Sequence, residues 1–129
     1  MIVGIALATV AHAVIGMLWY GPHLFGAEFM RLANVTPNPE KMKIQMMCSM
    51  LSALVLASVM AYFMDRLNVN SFTSALCFGF MAWFGFVATV GLSEVLWCNK
   101  PLELYFIKMG NTLVSILTMS LILFFFMAI

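Results

Sequence analysis

Four runs of apolar residues, 1–20, 42–64, 72–97 and 104–129, take up most of the chain and are separated by short polar breaks. A helix needs roughly 20 apolar residues to cross a hydrocarbon core of about 30 Å, so the pattern predicts four membrane-spanning helices. The breaks are chemically consistent with that reading. Gly21-Pro22 stops the first run, because proline lacks a backbone donor and clashes with the preceding turn. Asn38 suits an N-cap, Pro39 the first helical position and Glu40 the positive end of the dipole, so the second helix is expected to start near residue 39. Asn68, Asn70 and Ser71 form a connection short enough to make the second and third spans antiparallel neighbours. Asn99, Lys100 and Pro101 open the fourth. Between the first two spans, Phe25, Phe29, Leu32 and Ala33 recur at i, i+4, i+7, i+8 with Glu28 and Arg31 off the stripe. A short amphipathic helix over 24–33, lying in the headgroup region, is expected there, with a plain polar loop as the alternative.

Composition turns this pattern into a fold class. Of 129 residues, 64% are hydrophobic and 9% charged, against about 45–50% and about 25% in an ordinary soluble domain. A soluble globular domain is excluded, and one all-α transmembrane domain over 1–129, an integral membrane four-helix bundle, is expected. The net charge of +1 leaves no basic field for a nucleic acid backbone. Five of the six basic residues, Arg31, Lys41, Lys43, Lys100 and Lys108, fall on one side of the four-span topology, and Arg66 on the other. By the positive-inside rule, loops 21–41 and 98–103 face the cytoplasm and both termini the outer side. Ala11-His12-Ala13 fits a small-x-small cleavage pattern, but the run stays apolar to Tyr20 and has no basic n-region, so it reads as a permanent helix.

Trp19, Tyr20, Trp97 and Tyr105 fall at one expected interface and serve as anchors, with Gly21 and Pro22 turning the chain onto the membrane surface. Helices in lipid associate through close backbone approach. Ser49, Ala53, Ala57 and Ala61 form a small-residue ridge on the second span, Gly4, Ala8 and Gly16 a stripe on the first, and Gly79, Ala82, Gly85, Ala88 and Gly91 a flattened side on the third. Such ridges serve contacts within the chain or with another copy. Cys48, Cys77 and Cys98 lack CxxC spacing and read as packing residues rather than a disulfide or zinc set. Asn34-Val35-Thr36 matches a glycosylation sequon, on a loop expected to be cytoplasmic.

Few residues carry candidate chemistry. His12 lies near the middle of span one, where an ionisable group is a functional hypothesis by default. Its competing reading is a neutral imidazole bonded across a helix interface. Asn111 and Ser115, one turn apart in span four, read as interhelical glue, with a polar cavity shared with His12 as the alternative. Glu94 is placed to pair with Lys108, and an ion pair is preferred over a substrate gate. Met42, Met46 and Met50 form a stripe whose thioethers suit Cu(I), but methionine is a common gap-filler and no metal site is expected. No phosphate loop, nucleophile elbow, HExxH or carboxylate pair is present, so neither enzymatic activity nor a cofactor is expected.

Gly16-Met17-Leu18-Trp19-Tyr20-Gly21-Pro22, Leu24-Phe25-Gly26, Trp83-Phe84-Gly85-Phe86, and Pro101 leading to Gly110-Asn111 give the chain a resemblance, over nearly its full length, to the uncharacterised small membrane family called domain of unknown function 1761. The resemblance implies a four-helix fold and transfers no activity; Phe29 stands where it implies a tryptophan, and a tyrosine near Thr112 is missing. Three functions remain in competition. The first is an accessory or self-associating membrane component, whose partners are the bilayer and another copy or a larger complex. The second is a small-solute or proton transporter or channel, formed by an oligomer with His12 and Asn111 on the path. The third is a binder of a lipid or hydrophobic cofactor between the helices, against which a dry, tightly packed bundle would count.

Overall fold

The computed structural model describes residues 2–21, 24–33 and 39–128. Helix α1 is Ile2–Trp19, α2 Gly26–Ala33, α3 Pro39–Arg66, α4 Phe72–Trp97 and α5 Leu102–Ala128. All four long helices are long and apolar enough to cross a membrane, and no strand occurs among the described residues. Segment 24–33 takes the helical alternative of the two expected: α2 carries Glu28 in its first turn and Arg31 in its last, each favourable to the helix dipole. Pro39 stands first in α3, while Pro22, His23, the Asn38 cap and the 34–36 sequon lie outside the described residues.

The break between α3 and α4 is set by a local device. Asn68 takes a left-handed φ of 54°, which asparagine tolerates better than most residues. The Val69 N–H then donates to the Met64 carbonyl at 3.1 Å and the Asn68 N–H to that of Asp65 at 3.3 Å, the paired bonds of a Schellman ending. Ser71 starts α4, accepting from the Ser74 N–H at 3.1 Å. Within α4 the backbone widens into a π-helical stretch, Trp83–Ala88, before resuming its α-helical course.

Helix α5 is the centre of the bundle. Its membrane-length segment is 39% buried against 17–22% for the other three, because α1 and α4 pack along opposite flanks of it while α3 packs mainly on α1. The core, around Ala8, Ala57, Met60, Met64, Ala75, Met119 and Leu123, lies in the half of the bundle near the α3–α4 connection. Ala8 and Ala57 are fully buried, so α1 and α3 meet there with no side-chain bulk between them. Ser120 adds a polar tie, its Oγ donating to the Ala75 carbonyl at 2.7 Å. Gly79 faces the same point: a Cβ there would sit 3.2 Å from Ser120 Cβ.

Candidate functional site

Along α3, towards its N-terminus, the ridge of alanines ends. Ala53, Ala57 and Ala61 are buried, but Ser49 is exposed and the positions before it carry Gln45 and Met46. Long side chains in place of methyl groups hold α3 away from α1, and a half-enclosed cleft of about 390 Å³ opens between them. Helix α1 contributes His12, Gly16 and Met17, and the turn after it Tyr20; α3 contributes Gln45, Met46, Ser49 and Met50; α5 contributes Asn111. His12 and Asn111, remote in sequence, therefore line one space, whose inner end is closed where Ala8 and Ala57 are buried.

Asn111 is the unusual member. It is 7% exposed, its side chain neighbours the Tyr20 hydroxyl, and its Oδ1 is buried without a hydrogen-bond partner. One turn on, the buried Ser115 Oγ is in the same condition. Each buried, unmatched polar atom costs about 1–3 kcal/mol. The turn bearing Asn111 is clamped from two sides. The Trp19 Nε1–H donates to the Ile107 carbonyl at 2.8 Å, its ring lying over Gly110, where a Cβ would come within 2.8 Å of Cζ2. From α4, the Trp83 Nε1–H donates to the Met109 carbonyl at 3.1 Å and the Thr112 Oγ1 at 3.0 Å. Glycine at 110 is what lets the first indole reach the backbone.

The other candidate positions lie elsewhere. Glu94 does not line the cleft; it pairs with Lys108, Oε2 to Nζ at 2.7 Å, on the α4–α5 seam. Both partners are partly exposed, and such pairs contribute about 0–1 kcal/mol. Among the expected anchors, Trp97 is 83% exposed, whereas Trp19 is tied inward as above and the Tyr105 hydroxyl donates to the Ala88 carbonyl at 2.7 Å. Tyr20 packs on Phe29 of α2 with ring centroids 4.7 Å apart, and Pro22 is outside the described residues. Two of the expected packing positions do not pack within the chain. Ser49 lines the cleft instead of a neighbouring helix, because α3 has already diverged there. Gly85 is exposed, with nothing within 4 Å of where a Cβ would stand, because it lies in the π-helical stretch, where the flattened side of α4 turns outward. Met46 and Met50 line the cleft with His12, while the Met42 side chain lies outside the described ones. No group of three or more His, Cys, Asp or Glu suited to a metal occurs among the described residues.

The profile of a family described as "Protein of unknown function (DUF1761)" matches residues 3–124. The chain belongs to this family. No curated protein matches it, and no solved structure does. In this DUF1761 chain the segments that carried the resemblance converge on a single turn of α5. Trp19 and Tyr20 reach Ile107, Gly110 and Asn111 from one side, and Trp83 reaches Met109 and Thr112 from the other. From the sequence alone Trp19 reads as an interfacial anchor and Trp83 has no evident partner. The signal available for both was a tryptophan beside a helix bearing Gly110 and Thr112 among larger apolar residues.

Proposed function

We propose that this DUF1761 chain is a non-enzymatic membrane component that works through helix–helix contacts, with a second copy packing on α3. One observation carries the reading: Ile44, Cys48, Leu51, Val55, Ser58 and Tyr62 recur at alternating spacings of four and three and are all exposed. That spacing keeps one seam facing a partner helix through a left-handed crossing. The seam runs unbroken from Ile44 to Tyr62 of α3, and a two-fold axis along the membrane normal would bring each position opposite itself.

Cys48 stands on this seam and supplies the test. With Cys77 and Cys98 replaced by serine, mild oxidation in native membranes is expected to give a disulfide-linked dimer, since two Cα atoms must approach within about 7 Å for the bond to form. Moving the thiol to the cleft side, as Cys48→Ser with Ser49→Cys, is expected to abolish the product. A Cys48 protein that stays uncrosslinked, together with the mass of one chain in gently extracted lipid particles, would overturn self-association.

A solute path is the second reading, favoured by His12 and Asn111 lining one cleft. Because the cleft ends at Ala8 and Ala57, its continuation would have to run between copies. In proteoliposomes, flux of protons or small neutral solutes is expected to fall at least tenfold in His12→Ala and Asn111→Ala; no flux, or flux at the wild-type level in both, ends this reading.

A further inference from the structure

We infer that the cleft between α1, α3 and α5 binds a small uncharged aromatic molecule bearing a hydroxyl or N–H group, with the Asn111 amide as its hydrogen-bonding partner. Four observations define this occupant. The first is the unmet need at Asn111: its acceptor oxygen is buried with no hydrogen-bond partner, the Tyr20 hydroxyl stands beside the amide, and hydrocarbon tails have no donor to offer. Rotation about the terminal torsion of asparagine, which is broad and roughly two-fold, brings that oxygen to the side of the Tyr20 hydroxyl and the cleft, where its two lone pairs can accept from both Tyr20 and a guest.

The second is charge. Among the described residues no aspartate, glutamate, lysine or arginine lines the cleft, and His12 is its one ionisable imidazole, so a cationic guest would be stranded without a counter-charge at membrane depth and an uncharged one is favoured. The third is the remaining wall. Met17, Met46 and Met50 present thioethers, which are flexible, polarisable and favourable at the edges of aromatic rings. The fourth is size. About 390 Å³ lies near the lower end of small-molecule sites and suits one or two fused rings, not a diacyl lipid. The guest enters sideways from the bilayer, because the cleft is open along the gap between α1 and the diverging half of α3. Tyr20, Gln45 and Ser49 supply further polar contacts towards the α1–α2 turn. Occupancy does not depend on self-association and is measured on one chain per particle.

The test uses 1-naphthol and 1-methoxynaphthalene, which share the ring system and differ in the donor. The protein, labelled at methionine methyl groups, is placed singly in phosphatidylcholine nanodiscs and titrated by NMR. Saturable shifts are expected at Met46 and Met50, with the fully buried Met64 and Met119 unmoved. The apparent Kd for 1-naphthol is expected to be about tenfold below that of the ether. Asn111→Leu is expected to bring the two probes to equal affinity and, by removing an unmatched polar group, to raise the Tm of the empty protein by a few degrees. Should that variant not fold, Met50→Trp fills the cleft from an exposed position and is expected to abolish the saturable shift at Met46 for both probes. Equal affinity of naphthol and ether in the wild-type protein, as when a resident water already satisfies Asn111, overturns the inference. So do shifts that grow linearly without saturation, discrimination that survives Asn111→Leu, and binding that survives Met50→Trp.

Discussion

Gly26→Ala is expected to lower stability by about 3 kcal/mol, the upper end of overpacking penalties, and the Tm by roughly 10 °C. The reason lies in the turn between α1 and α2. The chain reverses so tightly that the Phe25 N–H donates to the Trp19 carbonyl at 3.0 Å and the Gly26 N–H to that of Gly21 at 3.0 Å. A Cβ on Gly26 would fall on the Tyr20 carbonyl oxygen and within 2.7 Å of that of Gly21. Both obstacles are backbone, so no rotamer change relieves the clash and the turn itself must open. Opening it separates Trp19 from Phe25, now 5.0 Å apart between centroids, and Tyr20 from Phe29. The control is Gly85→Ala. The space there is free, and alanine in a helix interior is favoured over glycine by about 0.5–1 kcal/mol, so the same change of residue should hold or raise stability. Equal melting temperatures for Gly26→Ala and wild type would show that the turn does not need glycine.

Gly110→Ala is expected to cost about 2 kcal/mol, within the same overpacking range. The added methyl group would meet Trp19 Cζ2 at 2.8 Å and Cη2 at 3.4 Å. A free side chain would move aside, but this indole is held by its bond to the Ile107 carbonyl. Either the bond breaks or α1 moves off α5, taking the cleft wall with it. The signature is non-additivity, since residues in contact couple: in a Trp19→Leu background the cost of Gly110→Ala should shrink by at least half. With Trp83 and Trp97 replaced by phenylalanine, the emission of Trp19 should also shift in Gly110→Ala. Strictly additive costs and an unchanged spectrum would remove the clamp from the account.

Apolar length and polar punctuation made the four long helices, their limits and the amphipathic α2 legible, because hydrophobic spacing is a property of the sequence alone. The partnership of Glu94 with Lys108 was legible for a similar reason: two charges near one end of adjacent spans have few other places to go. What stayed hidden depended on the angle between helices. The alanine ridge of α3 marks where close approach is allowed but carries no sign that it stops at Ser49, where the larger Gln45 and Met46 part the helices. Hence the readings of Asn111 as glue and as a cavity residue were both open from sequence, and its unmatched oxygen appears only when α1 is in place. The π-helical stretch was hidden too, since Trp83–Ala88 contains no proline to mark it.

The central place of α5 also has a consequence for assembly. It is synthesised after the other three spans, and it supplies Met119, Leu123 and Ser120 to the core together with the carbonyls that receive both indoles. Until it enters the bilayer, α1 and α4 have no shared surface to pack on, and both tryptophan N–H groups lack their eventual acceptors. Helices α1 and α3 already share an interface before that point, while α4 waits as a separate inserted helix, so the bundle closes only when α5 arrives.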